Sequence, residues 1–152
     1  MREILFRAKT TENEWVQGDL IHEPLLEDAP CRISYQYQSG LFVVTHTEEV
    51  LPETVGQYTG VKDKNGKKIF EGDIVEVFHE EFETFSEGSE DDNTLRFFEE
   101  LTRELHVKGK VFFNHGSFDI EDNAGNFELW GFGEDEIQII GNVYDNPEIL
   151  KE

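Results

Sequence analysis

Apolar and polar residues alternate along most of the chain in runs of four to eight, the period-two pattern of half-buried strands. Ile4, Phe6 and Ala8 alternate with Leu5, Arg7 and Lys9; a polar TTEN turn follows and EWVQGDLI returns, which predicts a first hairpin. Pro24 and Pro30 bracket a loop, after which CRISYQYQ and LFVVTHTEEV enclose Ser39-Gly40 and predict a second. Pro52 breaks the chain before residues 57–61 and 69–70, which flank KDKNGKK. There Asn65-Gly66 predicts a two-residue type I′ turn, whose central positions both need positive φ. EGD (residues 71–73) turns into the strand IVEVF, and VFF and FDI surround a turn at Asn114-His115-Gly116. A turn over residues 122–126, a strand FELWGF and a last strand EIQIIGNVYDN complete the pattern, with a helical turn expected after Pro147.

One segment departs from alternation. Residues 79–93 read as a loop of Ser, Gly and acids, and TLRFFEELTRELHV then carries Leu95, Phe98, Leu101 and Leu105 at three- and four-residue steps. That spacing predicts an amphipathic helix with Asn93 as its N-cap and a Glu99–Arg103 pair one turn apart. A helix this short is marginal alone, so its stripe needs a surface of the sheet or of another subunit. The expected fold is mainly β: short antiparallel strands and hairpins forming a small SH3-like barrel plus an N-terminal β region, with one inserted amphipathic helix. The N-terminal β region would span residues 1–56 and the barrel region 57–152, with the acidic loop and helix inserted at 79–106, as one compact unit.

Charge narrows the function. The 152 residues carry 34 acids against 13 Lys and Arg, a formal charge of −21. Binding DNA, RNA or an anionic membrane requires cationic side chains against phosphate, so direct contact with these is not expected. Thirteen Phe, four Tyr and two Trp supply the core that a disordered acidic chain lacks. The single Cys31 leaves no intramolecular disulfide, and no segment has the length or apolarity of a signal or membrane span. These features fit the cytoplasm. Against this background Lys62, Lys64, Lys67 and Lys68 fall within seven positions around the predicted turn. They read either as a solvated rim that blunts a strand edge or as a contact surface for an acidic partner.

A search for chemistry finds no GxSxG, Walker, GxGxxG, HExxH or CxxC pattern. Cys31 sits early in a strand run, where a buried thiol is the ordinary state. The five histidines are scattered, and EDD (residues 90–92) lacks the spacing and glycine of a calcium loop. Trp15, Trp130, Phe112, Phe113 and Phe118 would suit a base-stacking platform only beside a basic groove; otherwise they are core. No catalytic, cofactor-binding or metal-binding residue is therefore assigned, and no cofactor is expected. The candidate interaction surface is Lys62, Lys64, Lys67 and Lys68 with Leu95, Phe98, Leu101 and Leu105.

PETVGQYTGVKDKNGKKIFEGDIVEV (residues 52–77) closely resembles the signature of the YopX family, phage and prophage proteins of uncharacterised function. LFRAKTTENEWVQGDLI is similar to that family's opening frame, FRAW, a turn, then W-x-x-G-D-L/I. GKVFFNHGSFDI is similar to its later G-x-V-x-F strand pair, and IQIIGNVYDNPEIL to its closing IEVIGNIYENPELL-like motif. The similarity spans nearly the whole chain apart from residues 79–106. Lys9 departs from the pattern, standing where the family often has an aromatic. The family signature carries no assigned chemical role.

The resemblance and the composition together lead to three expectations of function. The first is a non-enzymatic phage accessory protein that forms a homo-oligomer and binds a host or phage protein. The second is an acidic DNA mimic that occupies a nucleic-acid enzyme. The third is a metal-dependent enzyme, which needs acids or histidines clustered in a pocket.

Overall fold

A computed structural model of the protein describes residues 2–23, 30–88 and 95–151, and the backbone but not the side chain of Leu95. Glu90, Asp91, Asp92 and Asn93, read from sequence as loop and helix cap, lie outside the described residues, as does Pro24. The described chain is mainly β, arranged as two antiparallel sheets with no closed barrel and no α-helix.

The first sheet has six strands. β1 (Phe6–Lys9), β2 (Trp15–Ile21), β3 (Arg32–Ser39) and β4 (Phe42–Glu49) form a meander, and β5 (Gly56–Lys62) and β6 (Lys68–Phe70) add to its other side, in the order β4-β3-β2-β1-β5-β6. Ala8, Cys31, Ile33 and Val50 form its buried centre, with Phe6, Val16, Leu20, Tyr35 and Val55 packed around them. Period-two patterning predicts β1, β2 and the start of β3 because each packs one face on this core, whereas β4 pairs with β3 without burying a residue of its own.

The second sheet has five strands: β7 (Asp73–Gly88), β8 (Leu95–Asn114), β9 (Ser117–Asp122), β10 (Gly125–Glu128) and β11 (Ile137–Asn142), ordered β10-β9-β8-β7-β11. Val75, Val77, Val107, Val111, Ile120, Leu129 and Ile137 make its core together with Ile69 of β6. Ile69 thus belongs to the first sheet by hydrogen bonding and to the second by packing. The expected SH3-like barrel does not form, because these strands remain two open sheets joined through the β5–β6 hairpin. A short 3₁₀ segment, Pro147–Lys151, follows β11.

The inserted helix is replaced by strand. β7 and β8 pair continuously from Ile74↔Lys110 to Gly88↔Leu95, with a bulge between Glu81 and Phe82. The pairing explains the error. A helix over residues 94–106 would leave the backbone of β7 beyond Phe78 without hydrogen-bond partners. As a strand, β8 supplies that ladder and sets Leu101 opposite Phe82 and Phe98 opposite Phe85. Three- and four-residue spacing makes one stripe on a helix but divides its members between two faces of a strand.

The lysine hairpin forms over β5 and β6, but its turn is not type I′. The Gly66 N–H donates to Asp63 O (2.9 Å) and the Asp63 N–H to Lys67 O (2.8 Å). Only Gly66 has positive φ, 77°; Asn65 does not. The turn therefore has Lys64-Asn65 at its centre and Gly66 at the left-handed position that follows. The mirror-image dipeptide lies instead at His115-Gly116, with φ of 46° and 90° between β8 and β9.

Candidate functional site

The motifs that resemble the family signature meet where the two sheets join. Arg7, from FRAK, runs under Trp15 and Phe70, its guanidinium carbon 4.8 Å and 5.0 Å from the ring centroids. Its Nη2 lies 2.7 Å from Asp73 Oδ1, and the Phe70 N–H donates to Asp73 Oδ2 at 2.8 Å. Asp73 is 2% exposed. Burial raises its pKa, and the Arg7 charge and the Phe70 N–H oppose that rise. Both carboxylate oxygens are thus engaged in holding β1 and the β6 end against β7.

The closing GNVYDN motif completes this junction. Asp145 accepts from Trp15 Nε1 (2.8 Å) and Asn142 Nδ2 (3.1 Å) and pairs with Lys9. Lys9, Trp15 and Asn142 together hold the Asp145 carboxyl down at about 2. Asn142 Oδ1 accepts the N–H groups of Tyr144 and Asp145, which turns the chain sharply after β11. The Tyr144 ring packs on Trp15 and over Gly72, where an added Cβ would come 2.9 Å from Tyr144 Cε2. Gly72 also has φ of 88°, so both space and backbone require glycine there. This cluster is a staple between distant parts of the chain. Its acids are committed to cations and N–H donors, and none is held as a free base.

Asp63 performs the same service for the lysine hairpin. It is 3% exposed; its Oδ1 accepts the N–H groups of Asn65 and Lys67 (2.9 Å each) and its Oδ2 that of Ile139 in β11 (3.1 Å). The Lys64 N–H donates to Ile137 O (2.8 Å). The turn is consequently fixed to the second sheet, and the side chains of Lys62, Lys64 and Lys67 are exposed around it. Lys68 is half-buried, paired with Glu3 (2.7 Å) and placed over Tyr58. Among the described residues Lys62, Lys64 and Lys67 form no ion pair. Beside the turn is a cleft of about 450 Å³ lined by Arg7, Gln17, Lys67, Lys68, Phe70 and Ile139, among others. Its cationic lining is unusual for this chain.

The β7–β8 arm is the other exceptional surface. Beyond Val77 and Val107 the two strands leave the core, and Phe78, Phe82, Phe85, Phe97, Phe98 and Leu101 are all exposed, Phe97 by 68%. Register and alternation place Phe78–His106, Glu80–Glu104, Phe82–Leu101, Thr84–Glu99 and Ser86–Phe97 on one face. His79–Leu105, Glu81–Arg103, Glu83–Glu100, Phe85–Phe98 and Glu87–Arg96 lie on the other. Phe78 stacks on His106 at 4.4 Å and Phe85 on Phe98 at 5.7 Å. Of the positions singled out as a helical stripe, Leu101 and Phe98 point to opposite faces, Leu105 packs against the core, and Leu95 lies opposite Gly88 in register. The alternative signal is Phe82 and Phe85 within HEEFETFSEG (residues 79–88), which continue the aromatic positions of the strand ending at Phe78 through the segment whose Ser, Gly and acids predict a loop.

Phe113, Phe118 and Trp130 line a separate cleft of about 400 Å³ with Thr59, Val61 and Arg2, whereas Trp15 belongs to the Arg7 staple. Among the described residues no three His, Cys, Asp or Glu side chains are placed to hold a metal ion. Burial pushes the Cys31 thiol up, away from nucleophilic character. No described helix is long and apolar enough to cross a membrane.

The YopX protein family model matches residues 5–151, which includes every strand of both sheets and all of the staple. The chain belongs to the YopX family. No curated protein matches it in sequence. Among solved structures, the crystal structure of protein EF1440 from Enterococcus faecalis is similar, with a TM-score of 0.50 and 22% sequence identity over 99% of each chain. At that identity the likeness is one of fold. For this YopX chain, Arg7, Trp15, Asp73, Asn142, Tyr144 and Asp145 explain the motifs as a folding staple, and Lys9 adds a cation above Trp15 and against Asp145.

Proposed function

We propose that this YopX-family chain is a non-enzymatic accessory protein of phage or prophage origin, acting in the host cytoplasm as a self-assembling protein-binding module. The β7–β8 arm carries the reading: it presents six exposed large apolar side chains outside the core. Scattered apolar residues are ordinary on a surface, but a run of them along one projecting hairpin marks an interaction element. Residues 78–88 at about 3.4 Å each reach roughly 35 Å, far enough to engage a neighbouring molecule. A DNA mimic fits less well. Its carboxylates should form regular rows, whereas here they are divided between two faces and interleaved with Phe, Leu and two Arg.

Replacing residues 81–103 by Asn-Gly shortens the arm and spares both cores. Sedimentation velocity of the parent is expected to show a homo-oligomer and that of the variant a folded monomer. A monomeric parent, or a shortened variant of unchanged mass, overturns this reading.

A further inference from the structure

The arm's two faces differ in charge balance. On the Phe85–Phe98 face, Arg103 lies opposite Glu81 and Arg96 opposite Glu87, leaving Glu83 and Glu100 as the uncompensated pair. On the Phe82–Leu101 face, Glu80, Glu104 and Glu99 surround the apolar pair with no Lys or Arg among them. Glu80 and Glu104 are directly opposed, an arrangement that destabilises an isolated hairpin. None of these three carboxylates forms an ion pair among the described residues. This face is an apolar centre flanked by unneutralised acids, so its complement is an apolar-floored cleft with a cationic rim.

The same chain offers the cationic part of that complement. The cleft beside the lysine turn has Ile139 in its lining, with Phe70 buried beneath Arg7; Arg7 is paired with Asp73 and Lys68 with Glu3, while Lys67 and the exposed Lys64 of the adjoining turn form no ion pair among the described residues. Of its lining, the one acid is Asp73, already paired with Arg7. The Asp63 bonds to Asn65, Lys67 and Ile139 hold the turn's backbone rigid, so binding adds no backbone ordering there and the cost is confined to the lysine side chains.

We infer that the Phe82–Leu101 face of one copy's arm docks in the Lys67–Lys68 cleft of a second copy. The inference rests on the self-assembly proposed above and names the two surfaces involved. Phe82 and Leu101 seat toward the cleft beside Ile139, and Glu80, Glu99 and Glu104 meet Lys64 and Lys67, which form no ion pair among the described residues. At physiological salt charges more than about 8 Å apart are largely screened, so these local contacts outweigh the general repulsion between two acidic molecules. Arm and cleft are different surfaces, so the contact is either exchanged reciprocally in a closed two-fold dimer or propagates head-to-tail into a ring or an open chain.

Charge reversal of each surface tests this. One variant carries Lys64→Glu and Lys67→Glu, the other Glu80→Lys and Glu104→Lys; all four side chains are exposed, and circular dichroism with thermal unfolding verifies that each variant folds. Sedimentation of each variant alone is expected to show at least a tenfold weaker self-association than the parent. An equimolar mixture of the two is expected to regain the parent's association, because each arm then meets a cleft of opposite charge. If the parent self-associates but the variants do so equally well, or the mixture fails to recover, the arm–cleft contact is wrong while self-assembly stands. If the parent is monomeric, self-assembly and the contact fail together.

Discussion

Arg7 Nη2 and Asp73 Oδ1 lie 2.7 Å apart, tying the first strand of one sheet to the first strand of the other. Because the carboxylate is buried, its partner matters more than an exposed ion pair would. Arg7→Met is expected to destabilise the protein by about 3 kcal/mol at neutral pH, as judged by urea unfolding, since it strands a buried charge. The pH dependence has a definite sign. Burial raises the folded pKa of Asp73 above its unfolded value, so the charged form costs stability as pH rises through that window. Removing Arg7 widens the window upward, and the stability gap between variant and parent should narrow as pH falls through it. A gap that is constant with pH would show that Asp73 does not titrate against Arg7.

Asp145 has the opposite behaviour. Its folded pKa of about 2 lies below the ordinary carboxylate value, so its stabilisation is complete above the unfolded pKa and is lost as pH falls toward 2. Asp145→Asn should flatten the acid limb of a stability curve between about pH 4 and 2. Trp15 fluorescence reports the same event locally, because the indole N–H donates to this carboxylate.

The lysine turn should be far less tolerant at its acid than at its bases. Asp63→Ala removes the acceptor for three backbone N–H groups and is expected to cost about 2 kcal/mol or more. Gly66→Val forces a β-branched residue to the φ of 77° and should cost about 1 kcal/mol or more. Lys64→Ala, whose side chain is exposed, should leave the urea midpoint nearly unchanged. Equal effects from Asp63→Ala and Lys64→Ala would contradict the anchoring role of Asp63.

The two faces of the arm should also separate. Leu101→Glu adds a charge to the acid-flanked docking face and is expected to weaken self-association by tenfold or more in sedimentation, with thermal stability nearly unchanged. Phe98→Glu breaks the stack with Phe85 on the opposite face and should loosen the arm with a smaller effect on association. Equal dissociation by both would assign the contact to both faces.

The hairpins up to Val77 were legible because most of their strands alternate over a core and turn residues bound each one, as Ser39-Gly40 does for β3 and β4, and the signature motifs were legible as sequence. Their purpose was not, since Arg7, Asp73 and Asp145 meet only through sheet pairing. The β7–β8 arm was misread for a physical reason. Phe78, Phe82, Phe85, Phe97, Phe98 and Leu101 are exposed and divided between its two faces, so neither period two nor burial governs their spacing, and the helical steps of Leu95, Phe98, Leu101 and Leu105 dominate the pattern. The Asn65-Gly66 dipeptide likewise understated the turn, because the Asp63 carboxylate, reaching to Ile139, selects its geometry from outside the hairpin.

Whether the arm is covered by another copy can be read directly from amide hydrogen exchange at low and high protein concentration. Peptides from residues 78–88 and 95–106, together with the turn at residues 62–68, are expected to gain protection as concentration rises. Peptides from the β1–β4 meander should exchange at the same rate throughout. Concentration-independent exchange across the arm, in a protein whose sedimentation shows association over the same range, would contradict the arm's role as the assembling element.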